Sequence, residues 1–89
     1  MSGRSERIRV SLEQALHPLQ LDIEDESHRH VGHEGARDGR GHFRVRIVCA
    51  DFAGLPLIKR HQRVYAALGD LMRTDIHALA IDARAPGEN

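Results

Sequence analysis

Eighty-nine residues with a formal net charge of zero make one small domain, able to bury roughly 60–65% of its unfolded surface. That leaves no room for a second lobe, and it argues against a whole-molecule pull on nucleic acid or membrane. A single cysteine, Cys49, excludes an internal disulfide and every multi-cysteine zinc or iron–sulfur framework.

In chain order, residues 1–6 read as a flexible tail without the apolar core of a signal peptide. Ile8, Leu12, Ala15 and Leu16 form one stripe of a helix. Pro18 ends it, because the residue before a proline resists helical geometry. Leu19, Leu21 and Ile23 then alternate with Gln20, Asp22 and Glu24, the pattern of a half-buried strand. Ser27 to Gly41 holds four glycines and reads as a long loop, of the kind that is usually functional or mobile. His42 to Cys49 forms a second strand, with Phe43, Val45, Ile47 and Cys49 on one face and Arg44 and Arg46 on the other.

A Gly- and Pro-punctuated turn, Asp51 to Pro56, follows. Leu57, His61, Val64, Tyr65, Leu68 and Met72 recur at helical spacing, predicting a helix to about Arg73. Ile76 to Ala83 reads as a last strand with His77, Leu79 and Ile81 on one face, and 85–89 as a tail. The order is α-β-β-α-β, an α+β domain over residues 7–84. No apolar run approaches the ~20 residues of a membrane helix, so a soluble, cytoplasmic protein with no membrane partner is expected.

Connectivity brings distant histidines together. The first two strands should pair antiparallel across the long loop. The second and third, joined through a helix, should run parallel by a right-handed crossover. The loop then lies at the end of the sheet where the third strand begins. His77 therefore shares that end with His28, His30 and His33, and with His42. Two or three imidazoles suit an open or shared metal site, since a closed structural zinc site takes four ligands. The plain alternative is a solvated histidine-rich loop, with His77 capping the edge of the core.

Other constellations carry less. His33-Glu34 begins a zinc-protease pattern, but position 37 is Arg. Gly32-His33-Glu34-Gly35 matches the G-x-x-G of KH domains, yet it lies between strands and carries an acid. His61 reads as a packed, hydrogen-bonded core histidine, and Cys49 as a small core residue. Lys59, Arg60 and Arg63 form a basic outer helix face without aromatic platforms for stacked bases. Nothing in the spacing supports an enzyme or a small-molecule substrate.

The segments Leu21-Asp22-Ile23-Glu24-Asp25-Glu26-Ser27-His28-Arg29-His30, Gly41-His42-Phe43-Arg44-Val45-Arg46-Ile47-Val48, Leu57 to Tyr65 with its Arg60-His61 pair, and Ile76-His77-Ala78-Leu79-Ala80-Ile81 together resemble the BolA family. The resemblance runs from about Ile8 to Pro86. It implies a class II KH-like fold, a three-stranded mixed sheet with helices packed on one face. It also implies a monothiol glutaredoxin partner and a shared, bridging [2Fe-2S] cluster. In that picture the partner's cysteine and glutathione hold one iron. His77 and a loop histidine, His30 or else His33, hold the other, with His28 and His42 ranked lower. Histidine ligation would raise the cluster potential relative to an all-cysteine site. The resemblance implies, as the other reading, a DNA-binding regulator of transcription under stress, using Lys59, Arg60 and Arg63.

Overall fold

The computed structural model describes residues 3–27 and 40–88. Its elements are α1 (Gly3–Leu16), β1 (Gln20–Asp25), β2 (Gly41–Val48), a 3-10 turn (Ala50–Phe52), α2 (Leu57–Leu68), α3 (Leu71–Thr74) and β3 (Ile76–Arg84). Ile8 and Leu12 anchor α1, each fully buried. The helix closes at His17, whose backbone takes φ 48° while its N–H donates to the Glu13 carbonyl at 3.1 Å. Pro18 then prevents a further turn. Residues 3–6, read as tail, are helical, because Arg4 and Arg7 have a partner in Asp75 at the far end of the chain.

The sheet has the order β1-β2-β3. β1 and β2 pair antiparallel, setting Leu21 opposite Ile47 and Ile23 opposite Val45 on the core side. On the other side Asp22 meets Arg46 and Glu24 meets Arg44. Slipping this pairing by one residue would put every apolar side chain in water. β2 and β3 run parallel, aligning Phe43, Val45 and Ile47 with Leu79, Ile81 and Ala83. Ile8 and Leu12 of α1, Val64 and Leu68 of α2, and Phe43, Val45 and Ile47 of β2 form one core with Phe52, Cys49 and Ile76. The Ser11 hydroxyl fastens the two long helices by donating to the Ala67 carbonyl at 2.6 Å.

Two sequence expectations need correction here. The long helix stops at Leu68, because Gly69 takes φ 54° and its N–H donates to the Tyr65 carbonyl at 3.0 Å. A positive φ is open to glycine at no steric cost, so the helical spacing that reached Met72 spans two helices. Residues 85–88 are not a loose tail either. Ala85 is buried, and Glu88 folds back to accept a hydrogen bond from the Ala85 N–H at 3.0 Å.

Candidate functional site

The sheet end that receives the β1–β2 connection is built by short-range polar contacts. Asp25 Oδ1 accepts from the Ser27 N–H at 2.9 Å. The Ser27 hydroxyl oxygen accepts from the His42 N–H at 3.1 Å. The Glu26 N–H donates to the His42 carbonyl at 2.7 Å, and the Glu26 carboxylate pairs with Arg44 Nε at 3.2 Å. Gly41 donates to the Asp75 carbonyl at 2.9 Å. A Cβ at Gly41 would lie 2.7 Å from both the Phe43 ring and the Ser27 hydroxyl, a separation only glycine avoids.

Asp75 fixes the entry to β3. Its carboxyl is held below the usual range, first by the Thr74 hydroxyl at 2.5 Å and then by Arg7. One residue on, the pairing slips. Gly41 aligns with Ile76 but His42 aligns with Ala78, leaving His77 as the extra residue of a β-bulge. Bulges re-aim side chains, and this one does so: Ile76 is buried, His77 is exposed, and the inward positions resume at Leu79 and Ile81. The sequence put His77, Leu79 and Ile81 on one face by strict alternation, which the bulge breaks.

His77 therefore faces solvent beside His42, their ring centroids 5.2 Å apart and tilted by 46°. Arg40 Nη2 lies 3.3 Å from His77 Nδ1, and Arg40 Nη1 donates to the Arg73 carbonyl at the end of α3 at 3.4 Å. Ser27 and Arg40, which bracket segment 28–39, are thus each bound to one of these two histidine residues. His28, His30 and His33 lie outside the described residues. Among those described, no group of three or more His, Cys, Asp or Glu side chains could hold a metal ion. His77 offers an exposed imidazole, whereas His42 Nε2 is buried, and further donors must come from elsewhere.

The basic helix face differs from expectation. Lys59 and Arg63 are exposed, but Arg60 is buried, because the inward stripe of α2 is Arg60, Val64 and Leu68. Its aliphatic stem suits such a position while its guanidinium needs partners. It donates to the Leu55 carbonyl at 2.9 Å and the Ala83 carbonyl at 3.1 Å. Two further bonds reach the Glu88 carboxylate at 2.5 and 2.8 Å. His61, next to it, is half-buried rather than in the core. Cys49 is buried, with its thiol raised chiefly by that burial and next by Asp51, which fits a packing role.

Arg40 and Asp75 escaped the sequence reading. Neither belongs to a histidine motif, and only the bulge and the α3–β3 junction bring them to the site.

The family model of the BolA-like protein matches residues 12–88. The chain belongs to the BolA-like family. This BolA-like chain is 42% identical over 93 residues to SufE-like protein 1, chloroplastic/mitochondrial, of Arabidopsis thaliana, covering 99% of this chain and 25% of that protein. It therefore spans a quarter of that relative's length. The solved BolA domain of SufE1 from Arabidopsis thaliana superposes with a TM-score of 0.86 at 41% identity, over 100% of this chain and 99% of that one. Another relative, the DNA-binding transcriptional regulator BolA of Haemophilus influenzae, is 37% identical over 91% of this chain and 76% of its own length. The α+β fold with a three-stranded mixed sheet is that of the BolA structures. No helix among the described residues is long and apolar enough to cross a membrane.

Proposed function

We propose that this BolA-like chain binds a monothiol glutaredoxin and contributes histidine ligands to a [2Fe-2S] cluster bridging the two, in cluster assembly or transfer or in iron regulation. The observation that carries the reading is His77, exposed on a β-bulge, with Ser27 and Arg40, the residues flanking the histidine-bearing segment, bonded to His42 and His77. Imidazole suits iron, and an exposed donor is reachable by a partner. The chain's own donors would be His77 with His30 or His33. The glutaredoxin cysteine and glutathione would complete the set from the other side. When bound, the cluster supplies an iron–sulfur centre with a potential above that of an all-cysteine one. A cytoplasmic location belongs to the same proposal.

Mixing the chain with cluster-loaded monothiol glutaredoxin tests it: a heterodimer with a changed visible spectrum is expected. The double variant His30→Ala, His33→Ala should lose that change. If it keeps it, the assignment of His30 or His33 as the loop ligand is wrong.

A second reading, DNA-bound regulation, rests on the name of the Haemophilus influenzae relative and on the exposed cations Lys59 and Arg63. Arg60 is committed to Glu88 and two carbonyls. On this reading Lys59→Ala, Arg63→Ala should flatten a salt-dependent affinity for duplex DNA, while no binding at low salt would contradict it.

A further inference from the structure

We infer that Arg40 caps the metal-donor electron pair of His77, so that this histidine takes a metal only when the guanidinium lets go. The inference rests on the reading of His77 as a metal donor and adds a control element to it.

The argument starts from donor chemistry. A guanidinium carries five N–H donors, no acceptor, and its charge at every accessible pH. The nitrogen it touches must therefore present a lone pair, and that nitrogen is His77 Nδ1, 3.3 Å from Arg40 Nη2. A neutral imidazole has one in-plane lone pair, its other nitrogen bearing the proton. Metal ligation by a neutral imidazole uses that same pair. Ligation through Nδ1 evicts the guanidinium directly. Ligation through Nε2 moves the proton to Nδ1, where it faces an N–H donor. Either way, the Arg40 contact and a metal bond at His77 exclude each other.

Arg40 is also held in place from a second side. Its Nη1 donates to the Arg73 carbonyl at 3.4 Å, so the guanidinium bridges the end of α3 and the bulge. It sits at the point where segment 28–39 rejoins β2, one residue before Gly41. In the free protein, the cap and its positive charge would both disfavour stray divalent cations at the exposed His77.

Two measurements on the isolated chain test this, with Zn²⁺ as probe and no glutaredoxin present. At pH 8, above the ordinary histidine range, nitrogen-15 shifts of the His77 ring should show Nδ1 unprotonated and Nε2 carrying the proton. A ring with its proton on Nδ1 overturns the cap. In Arg40→Ala, Zn²⁺ binding should tighten by about three- to ten-fold, the range set by an exposed charge-assisted hydrogen bond. His77→Ala in that background should erase the gain. Unchanged or absent Zn²⁺ binding in Arg40→Ala overturns the inference, as does a gain that survives His77→Ala. Because neither measurement involves a cluster, success here with no cluster shared in the glutaredoxin mixture would contradict the proposed function alone.

Discussion

Single residues set the geometry at both ends of the sheet. Gly41 is required where Phe43 and Ser27 approach its α-carbon. His17 takes a left-handed backbone, a conformation in which histidine is several-fold enriched among non-glycine residues, so that α1 can turn into Pro18. At that same end, opposite Gly41, Glu88 holds the tail. Its carboxyl is lowered to about 2, first by the Arg60 guanidinium and then by the Ala85 N–H. A carboxylate whose folded value lies below the unfolded one, about 4.3, stabilises the fold fully above that value. The contribution is then lost as pH falls through the folded value. Wild type should melt higher than Glu88→Gln at neutral pH, and the difference should shrink as pH falls from about 5 to about 2. Melting curves across that range check it, and a constant gap would contradict the assignment.

At the scale of elements, α2 shows where periodicity informs and where it misleads. Val64 and Leu68 lie inward as their spacing predicts. Leu57 and Tyr65, which belong to the same sequence stripe, are 63% and 42% exposed, and Arg60 takes the third inward position. A stripe counted by hydropathy cannot find a buried arginine, because its partners are two carbonyls and a carboxylate from distant segments. The same limit hid the bulge: two-residue alternation assumes an unbroken pairing, and His77 is the residue that breaks it. Phe52 was part of a turn in the sequence reading, yet it is fully buried. Phe52→Ala should cost about 3–5 kcal/mol, whereas Leu57→Ala should stay within about 0.5 kcal/mol. Denaturant midpoints at constant slope compare the two. Equal losses would mean that the 3-10 turn does not anchor the core.

For the whole molecule, the α-β-β-α-β order and mixed sheet were legible because apolar alternation and connection lengths leave few topologies open. The convergence of His42 and His77 was legible for the same reason: a parallel crossover returns β3 to the end where β2 begins. What sequence did not reveal is the polar scaffold of that end, made of contacts between Arg7, Asp75, Ser27, Gly41 and Arg40 across the whole chain. That scaffold leaves one imidazole exposed on a fixed bulge, and the proposed partnership depends on it. The direct test is the visible absorption and circular dichroism spectrum of a one-to-one mixture with cluster-loaded monothiol glutaredoxin. Wild type should change the spectrum of the loaded glutaredoxin, and His77→Ala, confirmed as folded, should leave that spectrum as it is without the chain. A His77→Ala mixture with the same spectrum as wild type would contradict the central claim.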